Sequence, residues 1–150
     1  MEILDYQPRH APAWKALNEA WITKYFALEE ADRIVLDDPE GKVLAKGGHI
    51  FIGELDGVPV GCVGLKAMAD GGFEVIKMTV SEAARGTGLG RQLMDACIAR
   101  ARAVGAKRLY LETNSALGPA LGLYRAAGFT DLPPSGTDYA RCDVWMELKL

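Results

Sequence analysis

Glycines at three alternate positions, Gly86, Gly88 and Gly90, come just before a long stretch with helical periodicity. Without Cβ atoms, such a loop lets its backbone approach a ligand closely. The start of the following helix leaves about four amide N–H groups unpaired and carries a partial positive charge. Residue types and spacing together predict a backbone cradle for a phosphate or pyrophosphate group, one that needs no lysine.

Two other glycine-rich phosphate loops fit these residues poorly. A nucleoside-triphosphate P-loop ends in Gly-Lys-Ser/Thr, whereas this loop continues as Gly90-Arg91-Gln92. A dinucleotide fingerprint requires a small residue where Arg91 stands, and it belongs to a parallel βαβ unit. The simplest alternative is that the glycines only make a tight turn between a strand and a helix. The elements on either side of the loop bear on that choice.

The loop lies between a predicted strand and a predicted helix. Apolar alternation predicts six strands, over residues 2–6, 49–55, 58–65, 73–80, 108–112 and 141–150. Helical spacing predicts four helices, over residues 14–25, 29–36, 89–101 and 119–127. Turn residues at 56–57 and 70–72 join the second, third and fourth strands into an antiparallel meander, and residues 37–41 are expected to break the pattern.

Length and composition are those of one ordinary globular domain over residues 1–150, with an α+β fold in which helices surround one sheet. The net charge of −3 argues against a nucleic-acid partner. No apolar run approaches the ~18 residues needed to cross a bilayer. The acidic N-terminus lacks a signal-peptide pattern, so we expect no membrane partner and a cytoplasmic location.

The cysteines and histidines give no metal-binding pattern. Cys62, Cys97 and Cys142 stand alone in apolar surroundings, and His10 and His49 are neither paired nor suitably spaced. A zinc site needs about four convergent ligands. We therefore expect no metal, and we interpret the cysteines as small buried hydrophobic residues in a reducing compartment.

Two motifs carry a resemblance to a known family. Residues 85–90 read Arg-Gly-Thr-Gly-Leu-Gly and match R/Q-x-x-G-x-G/A, and residues 123–129 read Leu-Tyr-Arg-Ala-Ala-Gly-Phe. With the order of elements around them, they resemble the GNAT-type N-acetyltransferase superfamily over nearly the whole chain. The resemblance implies a three-layer fold whose mixed, mostly antiparallel sheet splays between its fourth and fifth strands. It also implies acetyl-CoA as co-substrate, bound in that gap.

The resemblance assigns most cofactor contacts to the backbone. Loop amides would hold the pyrophosphate, from Arg85, Gly86, Thr87, Gly88, Leu89, Gly90 and Arg91. The pantetheine arm would pair, like an added strand, with the backbone of Met78, Thr79 and Val80. Asn114, at the end of the fifth strand, would contact the pantetheine amides or an ordered water. The alternative is that Asn114 only turns the chain.

Acetyl transfer to an amine requires two proton movements. A lysine-like amine, with a pKa of about 10.4, must lose a proton before it attacks, and the departing thiolate benefits from a proton donor. The resemblance places Tyr124 beside the CoA sulfur as cofactor contact and general acid, although it could simply pack in the core. Glu74 is the candidate base; alternatively it is a solvated residue or binds an ammonium group. Lys77 is interpreted as a surface charge.

The residues that contact the acceptor amine are the hardest to predict. In this fold the first helices often wall the acceptor pocket, which nominates Tyr25, Glu29, Glu30, Arg33 and His49. Acidic residues would favour a cationic amine, whereas Arg33 could pair a substrate carboxylate, and the two together suggest a zwitterion. Core packing, a solvated helix face or the start of a strand would explain the same residues.

These observations predict an acetyl-CoA-dependent N-acetyltransferase. The acetyl group would move to a primary amine of a small molecule, such as an amino acid or a related amine, by direct attack through a tetrahedral intermediate. Two alternatives stay open: acetylation of a peptide N-terminus or protein lysine, and a non-catalytic acyl-CoA sensor that retains only the cradle. The oligomeric state, a homodimer included, is also open.

Overall fold

The computed structural model describes all 150 residues, and its seven strands form one sheet. The strands are β1 Glu2–Asp5, β2 His49–Leu55, β3 Val58–Ala67, β4 Phe73–Val80, β5 Arg108–Thr113, β6 Thr130–Leu132 and β7 Val144–Lys149. The helices are α1 Ala11–Tyr25, α2 Glu30–Asp37, α3 Pro39–Lys42, α4 Leu89–Ala103 and α5 Gly118–Ala127. The strand order is β1-β2-β3-β4-β5-β7-β6, and only the β4–β5 pair is parallel. The predicted mixed, mostly antiparallel sheet is confirmed.

The sheet opens between its fourth and fifth strands. β4 and β5 pair only through Phe73 with Leu109 and Glu74 with Tyr110. Beyond Glu74 the two strands diverge, so the edge of β4 that faces β5 has no strand partner. The predicted splay is confirmed, and it leaves backbone donors and acceptors of β4 available to a ligand.

Two apolar clusters hold helices against opposite faces of the sheet. On one face α4 buries Leu93, Met94 and Cys97 among residues of β2 to β5. On the other face α1 buries Trp14 and Ile22 with residues of α2, β2 and β3. Because the helices cover both faces, the gap between β4 and β5 lies between two helical layers.

The start of α4 lies unusually close to the sheet. A Cβ atom added at Gly53 or Gly61 would come within 2.7 Å or 2.8 Å of the Leu89 side chain. Glycine at these two strand positions therefore lets the buried Leu89 approach the backbone of β2 and β3. This contact fixes where the glycine loop before α4 meets the end of β4.

The structure departs from the sequence prediction in three short segments. Residues 37–41 were expected to break the helical pattern, but a single helical turn, α3, follows Asp38. The Asp38 side chain accepts a hydrogen bond from the Gly41 amide at 2.9 Å. The three-residue strand β6 was not predicted. The last strand begins at Val144 rather than at residue 141. Elements of three or four residues, such as β6 and α3, are too short to show a hydrophobic period.

None of the helices combines the length and apolar character that crossing a bilayer requires.

Candidate active site

A cleft of about 530 Å³ occupies the gap between β4 and β5. The end of α1, the start of α5 and the loop over residues 133–143 complete its walls. The glycine loop lies where β4 ends, and Glu74 lies near the start of the same strand. The cleft therefore has two ends, set about 20 Å apart by six residues of extended chain.

Two glycines at the first end adopt a backbone conformation that other residues rarely take. Gly86 has φ +75° and Gly88 has φ +83°, and a Cβ added at either would meet no atom within 4 Å. The space beside them is therefore open to a ligand. Gly90 differs, because its added Cβ would contact Leu123 and Val80 at ordinary distances of 3.6 Å and 3.8 Å.

The loop presents a row of unused backbone donors. No hydrogen bond within the protein is made by the amides of Gly86, Gly88, Leu89, Gly90 and Arg91. The amides of Arg85 and Thr87, which were also expected to hold the pyrophosphate, instead bond back to the Glu82 and Ala84 carbonyls at 3.3 Å and 3.4 Å. After Arg91, the Gln92 amide bonds back to the Gly88 carbonyl at 3.1 Å. Several convergent N–H groups at the start of a fifteen-residue helix suit the oxygens of a diphosphate. The residues present therefore fit the group that the sequence predicts.

Most side chains of this loop point away from the cleft. Leu89 is buried against the sheet, Thr87 bonds to the Ala84 carbonyl, and Arg91 pairs with Asp95 on the surface at 3.0 Å. Arg85 is the exception: it lines the cleft, and its Nη2 donates to the Tyr25 hydroxyl at 3.4 Å. A ligand at this loop would therefore be contacted mainly by the backbone. Such contact requires a specific residue type, glycine, only at particular loop positions.

The end of β4 also offers its backbone rather than its side chains. Thr79 is buried, and its hydroxyl donates to Asn18 Oδ1 at 2.9 Å. Met78 and Val80 pack against the apolar cluster beneath α4. All three residues line the cleft. With these side chains engaged, the groups that this stretch offers to a ligand are its peptide groups.

Tyr124, on α5, lines the cleft with a hydroxyl that makes no hydrogen bond within the protein. Its ring packs edge-on against Phe129, with centroids 6.1 Å apart. Burial raises the pKa of Tyr124 to about 12, so the phenol stays protonated at neutral pH. Packing and an available proton donor are thus combined in one side chain.

Glu74 also lines the cleft, and its carboxylate takes part in no hydrogen bond or ion pair. It is half-buried, so the interpretation as a fully solvated residue is wrong. Burial raises the pKa of Glu74 to about 7, and the neighbouring carboxylate of Glu112 adds to the rise. A carboxyl group that titrates near neutrality can accept and release a proton at physiological pH.

Asn114 lines the cleft but is already engaged in local structure. Its Nδ2 donates to the Arg141 carbonyl at 2.7 Å, and its Oδ1 accepts from the Ala116 amide at 2.8 Å. The second contact makes the local turn that was predicted by the alternative interpretation, in which Asn114 turns the chain. Asn114 therefore joins the end of β5 to the loop over residues 133–143.

A buried carboxylate, Asp32, organises the second end of the cleft. Arg141 donates to both of its oxygens, at 2.6 Å and 2.8 Å, and Lys77 Nζ donates to one of them. Burial by itself would raise the pKa of Asp32, but the hydrogen bonds from Arg141 and Lys77 lower it to about 2. We call Glu29, Asp32, Lys77, Tyr139 and Arg141 the Asp32 network.

Lys77 is buried, not a surface charge as the sequence suggested. Only 5% of its side chain is exposed, and Nζ also donates to the Tyr139 hydroxyl at 3.2 Å. Its φ of +54° and a register shift between Cys62 and Gly64 on β3 mark a bulge in the β3–β4 ladder. The bulge breaks the alternation of β4, which is why strand periodicity misplaced this side chain.

The loop over residues 133–143 is fastened across the second end. Glu29 accepts from the Ala140 amide at 2.9 Å and from Arg141 Nη1 at 3.3 Å. The Thr137 hydroxyl donates to Glu112 on β5. These bonds tie the loop to the start of α2 on one side and to the sheet on the other, so this end of the cleft is walled.

The predicted acceptor residues separate into two groups. Tyr25 lines the cleft, and Glu29 holds the loop that walls it. Glu30 and Arg33 lie outside the cleft, on exposed turns of α2. His49 faces α4 instead, where Arg100 contacts its Nδ1 at 3.1 Å and Phe73 its ring. The expectation that these last three wall the pocket is not met, because α2 buries Asp32, Val35 and Leu36 and leaves Glu30 and Arg33 on its exposed side, and because His49 packs beside Arg100 of α4.

Sequence reasoning missed Asp32, Glu112, Tyr139 and Arg141. They come from α2, β5 and an irregular loop, and no motif links them. The only hint was Lys77, a charge between apolar neighbours on a strand. No group of His, Cys, Asp and Glu side chains is placed to hold a metal ion.

Residues 12–129 match the model of a family described as the acetyltransferase (GNAT) family. An "IAA acetyltransferase" of Azospirillum brasilense is 37% identical over 89 residues, which cover 59% of this chain and 58% of that protein. An "Uncharacterized N-acetyltransferase YjgM" of Escherichia coli (strain K12) is 32% identical over 111 residues, covering 70% and 66% of the two chains. The matched segments thus span less than two thirds of both relatives.

Solved structures share the whole fold. A GNAT-family acetyltransferase of Staphylococcus aureus superposes with a TM-score of 0.89 at 19% identity, covering 99% of this chain and 98% of that one. The Salmonella typhimurium protein yncA, solved with its cofactor acetyl-CoA, superposes with a TM-score of 0.77 at 24% identity, covering 99% and 93%. These two likenesses establish the fold, and the family match covers most of the sequence. The chain belongs to the acetyltransferase (GNAT) family.

Proposed function

We propose that this protein is an acetyl-CoA-dependent N-acetyltransferase whose acceptor is the primary amine of a small molecule. One observation carries the proposal. A single cleft contains unpaired loop amides, the Glu74 carboxylate and the Tyr124 hydroxyl, and none of these groups has a partner within the protein. Buried polar groups are normally satisfied, so groups left open in a cleft are candidates for contact with ligands.

The first end of the cleft would hold acetyl-CoA. The unpaired amides of Gly86 and of residues 88–91 would bind its pyrophosphate, and the unpaired edge of β4 would bind its pantetheine arm. Arg85 adds a positive charge beside the same loop. Acetyl-CoA supplies the acetyl group as a thioester, a reactive acyl donor.

Glu74 would act on the acceptor. An amine enters mostly as the ammonium form, and Glu74, ionised above a pKa of about 7, would take one proton from it directly or through water. The neutral amine then adds to the thioester carbonyl and forms the new N–C bond of a tetrahedral intermediate, whose collapse breaks the C–S bond. As the amide forms, the nitrogen releases its second proton to water, from which the general acid is later reprotonated. The departing sulfur gains one proton from that acid.

Tyr124 would supply that proton. Its hydroxyl has no competing acceptor in the protein, and its pKa of about 12 keeps it protonated until a strongly basic thiolate forms beside it. Backbone amides near Val80 would stabilise the oxyanion, because the neighbouring edge of β4 is unpaired.

The walled second end favours a small acceptor over a peptide. A peptide requires an open groove along which its chain can continue. Here the loop over residues 133–143 is held across the cleft by Arg141, Ala140 and Thr137. The acceptor would therefore enter with its amine foremost and end within the pocket.

The test is a panel of small amines and short peptides, assayed by release of CoA thiol from acetyl-CoA. Turnover of at least one small amine, with peptides much slower, is the expected result. Faster turnover of peptides would favour the second acceptor class. Calorimetry that detects acetyl-CoA binding without turnover of any amine would favour the acyl-CoA sensor and contradict the proposal.

A further inference from the structure

Five charged side chains line the cleft: Glu74, Lys77, Arg85, Glu112 and Arg141. Arg85 lies at the glycine-loop end, so the other four are the charged side chains that line the acceptor end. Two of those four are cations and two are carboxylates. Their partners within the protein decide which charge remains for a ligand.

Both cations at the acceptor end are already neutralised. Arg141 forms two hydrogen bonds to Asp32 and one to Glu29, and Lys77 forms an ion pair with Asp32. The Asp32 network thus holds two positive and two negative charges. It has no net positive charge to offer an anion.

Neither carboxylate is neutralised. Glu74 has no hydrogen-bond or ion-pair partner, and Glu112 accepts only from two neutral hydroxyls, of Tyr110 at 2.8 Å and of Thr137. No arginine or lysine lies within ion-pair distance of either. The charge left over at the acceptor end is therefore negative.

The remaining wall is aromatic. Trp21 packs against Tyr25 and Phe26, with ring centroids 5.4 Å and 6.3 Å away, and all three line the cleft at the end of α1. Aromatic faces favour apolar groups and attract cations, and they provide no compensation for an anion.

We infer that the acceptor is an amine cation with an apolar body and no acidic group of its own, a class that excludes free amino acids. The inference rests on the proposed function and replaces its broader acceptor class. Glu74 and Glu112 attract the ammonium group, and Trp21 and Phe26 contact the apolar body.

A carboxylate on the acceptor would be penalised in two ways. It would lie near Glu74 and Glu112, and like charges brought together at a desolvated site weaken binding. To pair with Arg141 or Lys77 instead, it would have to draw them away from Asp32, which is completely buried. An unpaired buried carboxylate is strongly unfavourable.

The experiment compares acceptors that differ only in a carboxylate. 2-Phenylethylamine is compared with phenylalanine, and tyramine with tyrosine, by thiol release at saturating acetyl-CoA. We expect kcat/KM to be about 100-fold higher for each amine than for its amino acid. Substituting Glu112→Gln should reduce that ratio to about tenfold by removing one of the two carboxylates. Asp95→Asn, which removes an exposed carboxylate on α4, is the matched control and should leave the ratio unchanged.

Equal or faster turnover of the amino acids would overturn the inference, and so would a ratio that Glu112→Gln does not change. Both outcomes would leave the acetyltransferase activity itself intact. In contrast, acetyl-CoA binding with no turnover of any amine would contradict the proposed function as well, so the two failures are distinguishable.

Discussion

Backbone amides line one end of the cleft, and charged side chains line the other. At the glycine loop the donors are the peptide groups of Gly86 and of residues 88–91, which lie close together in the chain. At the Asp32 network, groups from the start of α2, from β4 and from the loop over residues 133–143 converge from positions up to 112 residues apart. The first end depends on local conformation, and the second depends on tertiary packing.

This difference teaches where each end is sensitive to substitution. The glycine-loop end should tolerate most side-chain changes and fail only where a Cβ enters the ligand's space or a positive φ is lost. The Asp32 network should respond to changes in any member, because each buried charge depends on its partner. Four predictions test this contrast, from the largest expected effect to the smallest.

Removing the central charge should destabilise the whole fold. Asp32→Ala leaves Lys77 and Arg141 without their shared partner, and we expect the free energy of unfolding to fall by about 3 to 5 kcal/mol. Urea denaturation measures the loss. Because the pKa of Asp32 is lowered to about 2, this stabilisation is fully present above about pH 4 and is lost as pH falls through 2.

A surface ion pair provides the control for that loss. Asp95→Ala breaks the exposed contact between Arg91 and Asp95 and should change the free energy of unfolding by less than about 0.5 kcal/mol. If the free energy of unfolding fell by the same small amount in both variants, the ion pairs of Asp32 would contribute no more to stability than an exposed ion pair does.

Removing the proposed base should leave the fold intact and suppress turnover. Glu74→Gln keeps the shape of the side chain, and we expect kcat/KM to fall by about 10²- to 10³-fold. In the unmodified protein, kcat/KM should rise as pH increases through about 7, because Glu74 must be ionised to accept a proton. The pH profile of kcat/KM for the variant should lack this rise near pH 7. Its persistence would show that another group is the base.

Removing the phenol should lower kcat more than it changes KM for acetyl-CoA. Tyr124→Phe keeps the edge-on contact with Phe129 but has no proton to donate, and we expect kcat to fall by about 10²-fold. Tyr6→Phe removes a hydroxyl from a surface contact with Glu40 and should leave both constants unchanged. Near-normal kcat in Tyr124→Phe would assign the ring a packing role only.

The smallest effect separates ligand contact from backbone strain at the glycine loop. Gly86 and Gly105 both have positive φ, +75° and +81°, and both have open space beside them, but only Gly86 lines the cleft. Each change to Ala should cost about 1 kcal/mol of stability. Only Gly86→Ala should also weaken acetyl-CoA binding in calorimetry, by about tenfold. Equal affinities in the two variants would contradict a cradle at Gly86.

Much of the fold could be predicted because its signals are local. Asp56-Gly57 adopts the positive φ values of a tight hairpin, +50° and +78°, and the strands on either side pair as expected. The helix α4 shows an apolar stripe that buries Leu93 and Cys97. The elements that were missed, α3 and β6, span four and three residues and carry no period of their own.

The candidate site, like the fold, could be predicted only where its residues belong to local motifs. Gly86, Gly88 and Tyr124 belong to contiguous motifs. Both glycines have positive φ, and Gly86 and Tyr124 line the cleft. Arg33 and His49 were nominated from their elements alone, and each points to a different surface. A helix or strand fixes which residues share a face, but the packing of several elements decides which face meets the cleft.

The sequence by itself determined the family and the conformation of the glycine loop, because glycine conformations and helix starts depend on neighbouring residues. Only the tertiary structure decided that the Lys77 side chain is buried and that Asp32 neutralises both Lys77 and Arg141. It also decided that no cation forms an ion pair with Glu74 or Glu112 in the cleft. Charge compensation depends on distances between residues far apart in the chain, and those distances exist only after the helices, the bulged strand and the closing loop have packed together.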